Sequence, residues 1–100
     1  MTSATTRVEQ LHAATLVAIN ECKRLSYRPT YWEQMAKELG ALDAHKQVLR
    51  PGPPHDGFVR LAFLMNPPHP ELTAEYAALY NFPDLFTEEE LAVARGRLEN

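Results

Sequence analysis

The sequence predicts an all-α fold, a compact bundle of five or six short helices with proline-rich connections. Apolar residues recur at steps of three and four along most of the chain, which is the spacing of one helix face. The 100 residues are 45% hydrophobic and 23% charged, a composition typical of one globular domain. Prolines and glycines gather between the periodic segments, where they end helices. We therefore expect one helical domain over residues 1–100, with residues 1–5 frayed.

The first and longest helix is predicted from Thr6 to about Leu25. The pattern cannot continue past Arg28, because the next residue is a proline and a residue that precedes proline is disfavoured in the α region. Its apolar side contains Val8, Leu11, Thr15, Leu16, Ala18, Ile19, Cys22 and Leu25.

The second helix is predicted to begin at Thr30, where a capping box with Glu33 would satisfy free backbone N–H groups. Gly40 ends this helix because glycine adopts a positive φ at little cost. The apolar face contains Trp32, Met35, Ala36 and Leu39.

A short third helix is predicted over residues 42–49, ended by the Pro- and Gly-rich turn at 51–54. We expect its histidine, His45, to be partly buried and hydrogen-bonded locally. The apolar side contains Leu42, His45, Val48 and Leu49.

The segment from Phe58 to Met65 is apolar on nearly every side, with Arg60 as its only polar residue. A buried strand would have the same pattern, but Leu, Ala and Met favour a helix, and a single strand would leave its backbone unpaired. We expect a helix that follows Asp56 as its cap and is buried throughout. The proline-rich residues 66–70 then form an extended crossing.

A fifth helix follows this crossing. Glu71 and Glu75 lie four residues apart on it, and we interpret them as a solvated polar stripe. The apolar side contains Leu72, Tyr76, Leu79 and Tyr80.

The final helix has the clearest start, because Thr87 and Glu90 form a capping box and Phe86 is placed to pack on Leu91. The acidic run at 88–90 is favourable there, since the helix macrodipole stabilises negative charge in the first turn. The residues predicted to face inward are Leu91, Ala94 and Leu98.

Composition and targeting signals bound the partners and the compartment. A net charge of −3 and a pI near 5.8 give no electrostatic case for nucleic acid or an anionic membrane as the main ligand. Cys22 is the single cysteine and cannot form an internal disulfide, and no secretory signal is present, so we expect a cytoplasmic protein. The longest apolar run, 61–65, is far too short to span a membrane.

The sequence predicts no catalytic, metal-binding or cofactor-binding residues. The histidines and Cys22 include no pair at metal-ligand spacing, and the four glycines are too scattered to form a phosphate-binding loop. The serines, Ser3 and Ser26, lie in no nucleophile elbow. We therefore predict that the protein is not an enzyme. A small enzyme of unknown reaction that uses Glu71, Glu75 or His69 stays open as an alternative.

One basic and aromatic cluster is the candidate contact for a partner or a nucleic acid. Residues 1–60 contain eight basic and six acidic residues, whereas residues 61–100 contain two and seven. Aromatic rings among cations suit a phosphate backbone and its bases, although cations at a helix C-terminus also simply complement the macrodipole. The cluster consists of Lys23, Arg24, Tyr27, Arg28 and Tyr31.

Several motifs along the chain are Tyr27-x4-Trp32-x2-Met35, Gly57-Phe58-x2-Leu61 and Leu85-Phe86-x3-Glu90. Together they resemble a small helical domain of uncharacterised bacterial proteins, over residues 8–98. The resemblance implies a helical fold, occurring alone or as an appendage of larger chains. It implies no activity.

The leading hypothesis is a non-enzymatic protein–protein interaction module that associates with itself as a homodimer. The chain contains more large apolar residues than a domain of this size readily hides, and the first helix and residues 58–65 could bury them across a two-fold axis. The alternative from another class is a nucleic-acid-associated accessory domain of a bacterial defence or gene-regulatory system. It would use Lys23, Arg24, Tyr27 and Arg28.

Overall fold

The structure, a computed structural model, describes residues 4–99 and confirms the all-α fold: within that range it contains helices and no strand. Residues 1–3, part of the segment predicted to fray, lie outside the described residues, whereas the backbone of residues 4 and 5 belongs to the first helix. The helices are α1 (Ala4–Arg24), α2 (Thr30–Leu39), α3 (Ala41–Val48), α4 (56–64), α5 (74–81) and α6 (Glu88–Glu99), with 3₁₀ turns at Pro70–Leu72 and Pro83–Leu85.

Two of these helices widen into π-helix. α4 is an α-helix over Asp56–Val59 and a π-helix over Arg60–Leu64, and α5 changes in the same way from Ala74–Tyr76 to Ala77–Asn81. Each π segment closes with a bond across five residues, as where the N–H of Met65 donates to the carbonyl of Arg60 at 2.9 Å. The periodicity predicted the helices but not this wider winding.

The two predicted capping boxes have opposite outcomes. At α6 the box is confirmed: Glu90 N–H donates to Thr87 Oγ1 at 3.1 Å, and Thr87 N–H donates to Glu90 Oε1 at 2.8 Å. At α2 the box is wrong, because Thr30 is already helical and the preceding proline occupies the cap position without a side-chain bond. The carboxylate of Glu33 binds Lys23 Nζ of α1 at 2.8 Å instead.

Gly40 joins α2 directly to α3. Its φ of +83° confirms the predicted glycine stop, since an L-residue with a side chain rarely adopts this conformation. The N–H of Gly40 still donates to the carbonyl of Ala36, so one residue ends one helix and begins the next.

The core forms two clusters. The larger one brings together α1, α3, α5, α6 and the segment before α6, and the smaller one lies between α2 and α3 with Trp32 and Ala74 against it. Phe86 is buried in the larger cluster, and Leu91 is partly buried against the same cluster. The buried residues of the larger cluster are Leu11, Ala41, Leu49, Ala78, Phe82, Phe86 and Ala94.

The prediction that α4 is buried throughout is wrong. Phe58, Leu61 and Ala62 are buried, but Phe63 is 47% exposed and Leu64 is 70% exposed. A helix that packs on the body by one face must leave its opposite face in solvent, whatever its composition. Leu16 of α1 and Leu39 of α2, both predicted to face inward, are also exposed. No helix within residues 4–99 has the length and apolar character needed to cross a membrane.

Candidate functional site

A cavity of about 390 Å³ opens between α1, α2, α4 and the start of α5. Its volume lies within the range of about 300–1,000 Å³ that small-molecule sites occupy. Its inner wall is mostly apolar, with the buried side chains of Thr73 and Glu75 as polar exceptions. The wall comes from several helices, so no single segment of the sequence encodes it. The most buried apolar residues of this wall are Ile19, Cys22, Met35, Val48, Phe58 and Leu61.

The lip of the pocket is polar and carries both signs of charge. Arg28, Tyr31, His55 and Asp56 line the cavity and are exposed. Among residues 4–99, the side chains of Arg28 and Asp56 make no hydrogen bond or ion pair within the chain. An apolar interior inside a polar rim is the arrangement found at the centre of many binding surfaces.

The structure divides the predicted basic and aromatic cluster. Tyr27, Arg28 and Tyr31 line the pocket. Lys23 and Arg24 do not, and each is paired with a carboxylate: Lys23 with Glu33 at 2.8 Å, and Arg24 with Glu21 on the same helix. Of these three cations only Arg28 lies at the cavity, and it has no ion-pair partner in the part of the chain that the structure describes.

The turn after α1 places Tyr27 in the pocket wall. Ser26 has a φ of +67°, which reverses the chain, and Tyr27 N–H donates to the carbonyl of Cys22 at 2.9 Å. The Arg60 guanidinium lies 5.7 Å from the centre of the Tyr27 ring. A Cβ at Gly57 would approach the Tyr27 hydroxyl to 3.1 Å, so glycine makes room for this ring. Burial raises the pKa of the Tyr27 phenol, which keeps it a neutral donor.

A buried ion pair closes one side of the pocket. Glu75 of α5 is 1% exposed and lines the cavity, and Arg97 Nη1 of α6 donates to its Oε2 at 2.8 Å. The prediction of a solvated stripe is therefore wrong for Glu75, although Glu71 is exposed and binds His69 at 2.8 Å. Burial raises the pKa of the Glu75 carboxyl, and the hydrogen bond from Arg97 opposes that rise.

Arg97 also ties α6 to the end of α3. Its Nη1 donates to the carbonyl of Val48 at 2.7 Å and its Nη2 to the carbonyl of Arg50 at 3.0 Å. The carbonyl of Val48 ends α3 and that of Arg50 lies just beyond it, where a helix leaves carbonyls without an intrahelical donor. We call Glu75, Arg97 and these carbonyls the arginine junction. Sequence reasoning missed it, although Arg97 follows Ala94 by three residues and so shares the inward face of α6.

Two further side chains, those of His45 and Cys22, are buried and stay neutral at pH 7. His45 is buried between the rings of Trp32 and Phe86, and its Nδ1–H donates to the carbonyl of Ala41 at 2.7 Å, which confirms a locally bonded histidine. Burial lowers the His45 pKa to about 4 and raises the Cys22 pKa to about 11. Within residues 4–99 no group of three or more His, Cys, Asp or Glu side chains is arranged to hold a metal ion.

Comparison with known proteins does not assign the chain: no family model, no curated protein and no solved structure matches it. The resemblance of its motifs to a small bacterial helical domain therefore stays a prediction.

Proposed function

We propose that this protein is a non-enzymatic interaction module that binds a protein partner by taking large apolar side chains of that partner into the pocket. The observation that carries the proposal is the pocket itself, apolar inside and polar at its lip. Interface hot spots have this form: a large side chain fills a desolvated hollow while surrounding polar contacts exclude water.

The groups inside the pocket support binding more than catalysis. Glu75 is held by Arg97 at 2.8 Å, so one oxygen of its carboxylate is already engaged within the chain and the group is not free to approach a substrate. The raised pKa of Cys22 keeps its thiol protonated, whereas nucleophilic attack requires the thiolate. The small-enzyme alternative draws support from the cavity beside Glu75. Turnover that is lost in Glu75→Gln, with the fold intact, would favour it.

The nucleic-acid alternative has less support. Neutralising several phosphates requires several cations that are free to reach them, and Lys23 and Arg24 are engaged by carboxylates. It predicts binding that weakens steeply with salt and flattens in the Arg24→Ala, Arg28→Ala double variant. Absence of such binding rejects it.

Fluorescence tests whether the pocket accepts an apolar group. Trp32 is the only tryptophan and lines the cavity, so a bound neutral aromatic probe, N-phenyl-1-naphthylamine, should quench it saturably. Ala18→Phe fills the cavity from α1 and should weaken the probe at least about tenfold. Ala13→Phe is the matched control, since Ala13 is exposed on the same helix and does not line the pocket. Equal binding by both variants would contradict the proposal.

Photo-crosslinking tests whether the occupant is a protein. A benzophenone amino acid at Tyr31, 71% exposed on the lip, should crosslink to a polypeptide near large apolar residues, identified by mass spectrometry. The same amino acid at Val17, 68% exposed and outside the pocket lining, is the control. Equal yields at both positions, or a crosslink to a small molecule only, would overturn the protein partner.

A further inference from the structure

Apolar surface continues from the pocket onto the outside of α4. Phe58 and Leu61 line the cavity, and the ring of Phe63 meets that of Phe58 edge-on at 5.7 Å. Leu64, the residue after Phe63, is 70% exposed at the end of the same helix. We call exposed Phe63 and Leu64 the ridge. A pocket and an uncovered apolar projection thus lie side by side on one helix.

We infer that the protein partner is a second copy of this chain, with Leu64 of each protomer seated in the pocket of the other about a two-fold axis. This inference rests on the proposed function. In a two-fold contact the same surface meets itself, so every projection needs its hollow on the same patch. The ridge and the pocket meet that requirement together, and one association covers both.

The charges at the lip fit the same occupant. Arg28 and Asp56 are both exposed at the lip, and within residues 4–99 neither side chain has an ion-pair partner. When a lip faces its own copy, Arg28 of one protomer meets Asp56 of the other, and the pairing occurs twice. A partner of one uniform charge would satisfy one of these residues and repel the other.

Sedimentation equilibrium over a wide concentration range tests the ridge. The wild type should dimerise, and Leu64→Glu should weaken the dimer at least about tenfold, because it places a charge in an apolar pocket twice per dimer. Leu64 is exposed, so the variant keeps its fold. Val17→Glu is the matched control, exposed to a similar degree on α1, and should change the dimer constant less than about twofold. A dimer that Leu64→Glu leaves intact would overturn the inference.

A charge exchange tests the two-fold pairing. Arg28→Glu and Asp56→Lys should each weaken the dimer about three- to tenfold, because each places like charges together at two positions. The double variant, which restores opposite charges across the axis, should recover to within about threefold of the wild type. Failure to recover, with both single variants weakened, would overturn the pairing of Arg28 with Asp56.

The naphthylamine probe separates failure of this inference from failure of the proposed function. If Leu64 of one protomer occupies the pocket of the other, it competes with the probe. The affinity for the probe should then rise when the protein is diluted and in the Leu64→Glu variant. A monomer at all concentrations that binds the probe saturably would overturn the second copy and leave the interaction module standing. A monomer that binds no probe would overturn both.

Discussion

The arginine junction and the pocket lie on two sides of Glu75, and they use buried space in opposite ways. At the junction, the Arg97 guanidinium donates to the Glu75 carboxylate and to the carbonyls of Val48 and Arg50 at 2.7–3.0 Å, whereas its buried Nε has no hydrogen-bond partner within residues 4–99. In the pocket, apolar side chains from several helices surround about 390 Å³ that the chain does not fill. Packed polar groups fix how the helices meet, whereas an unfilled apolar hollow leaves contacts for another molecule to make.

Removing Arg97 should have the largest effect on this contrast. Arg97→Met leaves the Glu75 carboxylate buried without its partner and should lower the free energy of unfolding by about 3–5 kcal/mol. Urea denaturation measures this change. Arg95→Met, an exposed position on the same helix, is the control and should stay within about 0.5 kcal/mol. Adding Glu75→Gln to Arg97→Met should restore part of the lost stability. If the double variant loses as much stability as the two single variants added together, Glu75 and Arg97 are not directly coupled.

Truncating a leucine should cost more stability in the packed core than beside the pocket. Leu49→Ala opens a hole in the main cluster and should cost about 3–5 kcal/mol. Leu61→Ala should cost about 2–3 kcal/mol, because part of the Leu61 side chain already faces the cavity and loses fewer contacts. Paired denaturation curves measure both. A larger loss for Leu61 would show that the pocket is closed in solution.

Acidification should destabilise the core through His45. Its folded pKa of about 4 lies below the ordinary value of about 6.5, so the unfolded chain takes up the proton first as the pH falls. The stabilisation that comes from keeping His45 neutral is present above pH 6.5 and is lost as the pH falls toward 4. The free energy of unfolding should therefore drop by about 2 kcal/mol between pH 7 and pH 5. Unfolding of wild type and His45→Gln at each pH isolates this effect, since glutamine can still donate to Ala41 and does not titrate. Parallel pH profiles for the two proteins would rule it out. The raised pKa of Glu75 acts with the opposite sign.

The smallest expected effect compares the two Thr-x-x-Glu sequences. Thr87→Ala removes a formed cap and should cost about 1 kcal/mol. Thr30→Ala removes no cap and should cost less than about 0.5 kcal/mol. Thermal unfolding of both variants under one condition would detect the difference. Equal losses would mean that the helix start at Thr30 has been placed wrongly.

Local patterns predicted the helices and the start of α6, because spacing and caps depend on residues close in sequence. These local patterns gave a wrong prediction where one side chain could bond either to a nearby residue or to a residue of another helix. Glu33 has the position of a capping residue, but it binds Lys23 ten residues earlier, and no local rule ranks these two bonds. Thr73, which the pattern does not predict as a cap, caps α5: its Oγ1 accepts a hydrogen bond from Tyr76 N–H at 3.1 Å.

The candidate site was predictable only in part. Tyr27, Arg28 and Tyr31 were singled out for their charge and rings, and they line the pocket, whereas Lys23 and Arg24 belong to surface ion pairs. Glu75 and Arg97 are 22 residues apart, and helical periodicity carries no information about which helices meet. The pocket itself is a product of helix packing, which the sequence pattern does not specify.

The position of Arg97 along the chain bears on the order in which the fold is completed. During synthesis, Val48, Arg50 and Glu75 leave the ribosome before the arginine that joins them. Until α6 docks, the Glu75 carboxylate and the carbonyls of Val48 and Arg50 lack the hydrogen bonds that Arg97 donates to them in the folded protein. Docking of α6 therefore completes both the end of α3 and the start of α5 in a single event, which favours a folding transition without a stable partial structure.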